Sequence, residues 1–227
     1  MIQKEKVVNL ISTFERAQNR NLLEAVKAIM EALAISEEYN FKILRLRVRS
    51  RLAGALGYIG NYEEALKHHE EVLRIAQSEG NLKFCFNALI NMAKHHVESN
   101  NQFQAKECIE EAISIYDEKT LGVNLSAYIA SSQGIYYTHE GNFEMARRYF
   151  SEAIDIAKQT NQQIMLGYQL CNQAAVINDK WNNKSPFATL KKNLTDALKI
   201  ATSNNHSLLK VFGFSTLAAL CQTHSKY

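Results

Sequence analysis

Apolar residues along this chain recur three and four positions apart, with no run of alternating β-branched residues, and one apolar spacing returns five times. Asn61-Tyr62 is followed by Ala65, His69, Val72, Leu73 and Ile75. Asn142-Phe143 leads to Ala146, Phe150, Ala153, Ile154 and Ile156, and Asn21-Leu22 to Ala25, Ile29, Ala32, Leu33 and Ile35. Gln102, Ala105, Ile109, Ala112, Ile113 and Ile115 form the fourth unit; Phe187, Leu190, Leu194, Ala197, Leu198 and Ile200 form the fifth. The final isoleucines stand 40, 40, 41 and 44 residues apart, so the chain is an internal repeat.

Offsets of three and four place each apolar set on one helical stripe. The spacing predicts eleven helices, over 3–18, 21–38, 41–58, 61–78, 81–99, 101–118, 121–140, 142–160, 162–180, 185–203 and 206–224. Ala65, Ala105 and Ala146 let paired helix backbones approach closely, as a helical hairpin requires. Gly60-Asn61, Asn100-Asn101 and Gly141-Asn142 read as turns within hairpins, because Gly and Asn accept a left-handed backbone. Gly80-Asn81, Asn161 and Asn204-Asn205 read as turns between them. One proline and nine glycines in 227 residues leave few helix breakers. The segment Trp181 to Pro186 lengthens the fifth hairpin's turn, and Pro186 suits the first turn of the next helix.

Leu52-Ala53, Gly60-Asn61-Tyr62, Ala65 and Val72 in one unit resemble the tetratricopeptide repeat family. Gly134, Tyr137, Gly141-Asn142-Phe143, Ala146, Phe150 and Ala153 carry the same resemblance in another. The match is strongest over the central units. The period is near 40 rather than the family's ~34 residues, and no proline closes a unit, so the helices are longer. Armadillo-like and HEAT-like repeats share the period but lack the Gly-Asn-aromatic turn. The resemblance implies an all-α fold: a right-handed superhelical solenoid of antiparallel hairpins, with about five repeats and one extra C-terminal helix. It also implies a single repeat domain over 1–227, with repeats near 3–40, 41–80, 81–120, 121–161 and 162–204, and an unpaired helix at 206–224.

In such a stack the first helix of each hairpin lines a concave groove suited to an extended peptide or a helix. Aligning these helices gives one row of hydrogen-bonding residues: Arg51, Asn91, Ser132, Asn172 and Thr216. One turn earlier stand Arg47, Asn87, Tyr128, Tyr168 and Phe212, and on the other side Gly54, Lys94, Ile135, Ala175 and Ala219. The first hairpin offers Val7, Leu10 and Phe14, which read as packing. In a groove, Asn87, Asn91 and Asn172 would grip a peptide main chain through bidentate amide bonds. Arg47, Arg51 and Lys94 would meet acidic side chains or a terminal carboxylate. Tyr128, Tyr168 and Phe212 would be apolar anchors, with Ser132 and Thr216 completing the partner-binding row. The family's basic clamp for C-terminal carboxylates is not implied, since Ser50, Gly54, Tyr128 and Ser132 stand where parts of it belong.

Charge and chemistry narrow the function further. Lys plus Arg number 26 against 23 Asp plus Glu, a net charge of +3, which excludes a nucleic-acid binder driven by bulk charge. Arg45, Arg47, Arg49 and Arg51 alternate, so the helix sends Arg47 and Arg51 into the groove and the other two outward. His68-His69 and His95-His96 are adjacent pairs, unable to share a metal, and His69 occupies a core position, reading as a buried, hydrogen-bonded histidine. His139-Glu140 ends an inner helix and reads as a solvated terminus. Phosphate loops, nucleophile elbows and zinc motifs do not occur, so no enzyme, metal or cofactor is expected. Cys85, Cys108, Cys171 and Cys221 are scattered and read as reduced small hydrophobes of a cytoplasmic protein. Neither a signal-peptide core nor a spanning stretch is present.

The last helix, with Leu208, Leu209, Val211, Phe212, Leu217, Ala218, Leu220 and Cys221, reads as half of a sixth hairpin. Repeat arrays end in polar caps. The uncapped face therefore suggests a longer protein, self-association, or a partner that covers it. The reading that follows is a non-catalytic protein- or peptide-binding module. It is expected to be the regulatory or sensory part of a larger bacterial signalling protein, of the histidine kinase or diguanylate cyclase type. The alternative is a standalone adaptor, scaffold or peptide receptor, similar to the peptide-pheromone regulators of Gram-positive bacteria.

Overall fold

The computed structural model of the chain describes residues 2–18, 20–178 and 187–224. All regular structure among them is helical. Twelve α-helices follow in order: α1 (Ile2–Ala17), α2 (Leu22–Glu38), α3 (Lys42–Tyr58), α4 (Tyr62–Ser78), α5 (Leu82–Glu98), α6 (Gln102–Ile115), α7 (Glu118–Leu121), α8 (Ser126–His139), α9 (Phe143–Gln159), α10 (Gln163–Asn178), α11 (Phe187–Ser203) and α12 (Ser207–His224). A 3-10 turn, Val123–Leu125, precedes α8. Two compact units hold them, residues 1–115 with α1 to α6 and residues 116–227 with α7 to α12.

One turn chemistry recurs at seven helix ends. Asn40, Gly60, Gly80, Asn100, Gly141, Asn161 and Asn205 all take positive φ, between 49° and 83°. The next residue then donates its N–H back across the end, as in Asn61 to the Leu56 carbonyl (3.0 Å) and Asn101 to the His96 carbonyl (2.7 Å). This satisfies a carbonyl the helix would leave orphaned and reverses the chain in two residues. Asn61, Asn81 and Asn142 then begin the following helix, their side chains accepting from the N–H three residues on.

The hairpins close on small residues. Ala25, Ala65 and Ala105 of the first unit are fully buried, as is Ala146 of the second. Val7, Ile11, Phe14, Ile29 and Leu52 form a core at one end of the first unit, and Leu46, Val72, Ile75 and Cys85 another. In the second unit Ile154, Cys171, Leu190, Leu194, Leu209 and Leu220 cluster together, while Gly134 of α8 lies so close to the Phe150 ring that a Cβ would stand 2.5 Å from it. Helix α12 packs on α10 and α11 through Leu209 and Leu220, leaving Val211 and Phe214 exposed.

The helix expected over 121–140 is instead three pieces, α7, the 3-10 turn and α8. Asp117 starts α7 by accepting from the Thr120 N–H, and Gly122 stops it at φ 89°. Accordingly α6 ends at Ile115 rather than 118. The turn expected between Trp181 and Pro186 lies outside the described residues.

Candidate functional site

In the first unit α3 lies between α1 and α5 as the first helices of successive hairpins. Helix α3 carries Arg47 and Arg51 one turn apart, and α5 carries Asn87 and Asn91 at the same two register positions, with Lys94 at that of Gly54. Arg47 and Asn87 are half-buried, while Asn91 and Lys94 are exposed. Arg51 is already engaged: its Nε and Nη2 donate to Glu15 Oε1 of α1 at 3.0 and 2.5 Å. Among the described residues Arg47 makes no ion pair. Asn91 spends one N–H on the Asn87 carbonyl at 2.7 Å, leaving its Oδ1 and second N–H. Lys94 stands 3.8 Å from Glu98 of its own helix. The face is thus cationic and amide-rich, with Gly54 beside it, open and exposed.

The corresponding helices of the second unit are α8, α10 and α12, with α10 touching both others. Tyr168 and Phe212 meet, their ring centroids 6.1 Å apart, and Tyr168 also stands edge-on to His206 at 5.8 Å. Tyr128 is exposed. Asn172 donates to Gln169 Oε1 at 3.3 Å and is half-buried. Two members of the row face inward. Ser132 and Thr216 are buried, and Thr216 spends its hydroxyl on the Phe212 carbonyl at 2.9 Å. A small hydroxyl residue sinks between neighbouring helices where a longer amide or guanidinium reaches out.

Arg49 is not the free outward cation expected of it. Arg49 is wedged between neighbouring helices, its guanidinium paired with Glu37 of α2 and 3.0 Å from His68 Nδ1 of α4. The Nε atoms of Arg45 and Arg49 are both buried. Arg49 is a structural cation, held between α2 and α4.

His69 is buried, at 1% exposure, but not hydrogen-bonded as expected. Its ring stacks on His95 of α5 with centroids 5.5 Å apart, and none of the four ring nitrogens has a hydrogen-bond partner. Burial first, then His95 and His68, hold the His69 pKa down to about 3. His95 stacks in turn against Tyr62 and presses on Gly57 of α3, with Glu98 Oε2 3.5 Å from its Nδ1. Residue-by-residue reading missed His95, although its register position is Ala55 in the preceding repeat and Val176 and Leu220 in later ones. It also missed Glu15, whose partner lies 36 residues away.

Among the described residues no cluster of three His, Cys, Asp or Glu side chains could hold a metal. Cys85, Cys108 and Cys171 are free and buried, and burial pushes the Cys108 thiol up to about 11 and Cys171 to about 12. They are inert, whereas Cys221 is exposed. No described helix is long and apolar enough to cross a membrane.

Two family models, both described as tetratricopeptide repeat, match residues 8–78 and 132–160. Comparison with curated protein sequences finds no significant match. Among solved structures, a Rap protein complexed with Competence and Sporulation Factor aligns over 100% of this chain and 66% of its own, at TM-score 0.67 and 15% identity. Apo RapI aligns over 98% of this chain and 85% of its own, at TM-score 0.65 and 15% identity. A STAND-class signal-transduction ATPase with a tetratricopeptide repeat sensor, from Pyrococcus horikoshii, aligns over 96% of this chain and 33% of its own, at TM-score 0.62 and 18% identity. At these identities the likeness is one of fold.

Proposed function

We propose that this chain, which belongs to the tetratricopeptide repeat family, is a non-catalytic module that captures a protein or peptide on its first-helix faces. The observation that carries this reading is the grouping on α3 and α5. Arg47, Arg51, Asn87, Asn91 and Lys94 fall on three adjoining register rows there, and none of them serves the apolar core. Two guanidiniums and an ammonium beside amides fit a segment with acidic side chains and an unpaired main chain. On the second unit Tyr128, Tyr168 and Phe212 offer aromatic surface to apolar side chains of a ligand.

The biological role we propose is regulatory or sensory, within a bacterial signalling protein. What supports it is the fold shared with the repeat sensor of a signal-transduction ATPase and with Rap proteins, one of them complexed with Competence and Sporulation Factor. A kinase or cyclase as the attached effector belongs to the same proposal. Capture of acidic peptides by the cationic face is the part testable now. Selection from a displayed random peptide library should return sequences rich in Asp and Glu. Replacing Arg47 and Arg51 together with Ala should weaken the selected peptides at least tenfold, with helix content unchanged. Recovery of peptides with no acidic bias, or unchanged affinity in that variant, overturns it. Replacing Asn91 with Ala should cost roughly 1–2 kcal/mol of binding if its amide holds a ligand's main chain.

A further inference from the structure

His69 and His95 occupy facing core positions that other repeats fill differently. The register of His69 holds Ile29, Ile109, Phe150 and Leu194, all buried; that of His95 holds Ala55, Tyr136, Val176 and Leu220. Both positions become histidine in one seam only, between α4 and α5, where the second hairpin meets the third. The two rings are 1% and 3% exposed and stack 27° from parallel; none of their four nitrogens makes a hydrogen bond, and Glu98 Oε2 lies 3.5 Å from His95 Nδ1. A leucine or phenylalanine would fill the space without that polarity. Unpartnered buried polar atoms are unfavourable to folding, so packing alone does not account for the pair.

We propose that the stacked His69–His95 pair makes the α4–α5 seam an acid-sensitive joint, closed while the His69 ring is neutral and opened when it takes a proton. Neutral imidazoles stack as apolar plates. A protonated His69 puts a cation beside a second imidazole in a site buried from solvent. Few groups nearby can compensate. Helix α3 meets His95 with Gly57, which has no side chain. On α4, Tyr62 stacks on His95, and His68 is held by Arg49, itself paired with Glu37 of α2. On α5, His96 is partly buried with its Nδ1 unpartnered, and Glu98 approaches His95 without reaching His69. The charged groups acting on His69 are His95 and His68, and both oppose its protonation.

The direction of the effect follows. His69 in the closed seam titrates near 3, well below the ordinary 6.5. Its contribution to closure is therefore complete above pH 6.5 and is lost as the pH falls from there toward 3. Between pH 7.5 and 5.0 this one group should raise the opening constant about thirtyfold.

Amide hydrogen exchange on the full chain, corrected for the intrinsic pH dependence, tests the joint directly. In the wild type, amides of α4 and α5 should open about thirtyfold more at pH 5.0 than at pH 7.5. Those of α9 and α10 serve as the internal control and should change far less. His69→Phe, the residue that α9 carries at this register, should abolish the difference between the seam and the control. His69→Ile, copying α2 and α6, is the second variant should phenylalanine disturb the fold. A wild-type seam no more acid-sensitive than α9 and α10 overturns the proposal, as does a folded variant with the full acid response. So does an NMR titration of the wild type in which the His69 ring protonates near 6.5 while the seam stays protected.

Discussion

Two glycines three residues apart on α3 show how much one side chain's surroundings decide. Gly57 is buried against the His95 ring, where a Cβ would lie 2.0 Å from Cε1. Gly54 has nothing within 4 Å of its Cβ position and is exposed. Replacing Gly57 with Ala should therefore destabilise the protein by about 1–3 kcal/mol, the usual cost of overpacking, since the ring is trapped between Gly57, His69 and Tyr62. Replacing Gly54 with Ala should stabilise it by about 1 kcal/mol, because an exposed mid-helix glycine gives up only backbone entropy. Urea unfolding of the two variants at pH 7.5 distinguishes them by sign. Equal effects would mean that His95 moves freely and that the seam is loosely packed. The same contrast explains why Arg47 and Arg49 differ. They are two residues apart on one helix, yet Glu37 and His68 claim only Arg49.

At the scale of the helices, an Asn cap starts α2, α4, α5 and α9, and a left-handed Asn or Gly follows most helix ends. Asn142 accepts from the Met145 N–H at 3.2 Å, so Asn142→Ala should lower stability by about 1 kcal/mol. Asn142→Ser should restore most of it, as followed by thermal melting; an unaffected midpoint in the alanine variant would show that α9 needs no cap. These signals are local, which is why most boundaries were legible from Gly60-Asn61, Gly141-Asn142 and their equivalents. The fourth repeat was not legible because the decisive features are an aspartate bonded to Thr120 and a glycine at φ 89°. Nothing in apolar spacing reports either. The candidate faces followed from register alone, and register does place Arg47 beside Arg51 and Asn87 beside Asn91. Whether a member of a row is exposed depends on the helices packed beside it. Ser132 and Thr216, at the register of Arg51 and Asn91, sank into the interior for that reason.

Over the whole molecule, the two units carry different chemistry on equivalent helices. Residues 1–115 present Arg47, Arg51, Asn91 and Lys94, whereas residues 116–227 present Tyr128, Tyr168 and Phe212. Each unit's first-helix face should bind by its own kind of force, and salt separates the two. Attraction between exposed charges is screened once the Debye length falls from roughly 10 Å at 0.1 M to a few ångströms at 1 M salt. Burial of aromatic surface is not weakened by added salt, and kosmotropic salts strengthen it. An acidic peptide on the face of residues 1–115 should therefore lose affinity as sodium chloride rises, and Arg47→Ala with Arg51→Ala should flatten that dependence. An apolar, aromatic-rich peptide on the face of residues 116–227 should keep its affinity in salt and lose it in Tyr168→Ala with Phe212→Ala, provided circular dichroism shows α10 and α12 intact. Fluorescence anisotropy with one labelled peptide of each kind reads both. If the arginine variant keeps the wild-type slope, the charge recognition does not reside on α3, and the cationic face is a solvated surface.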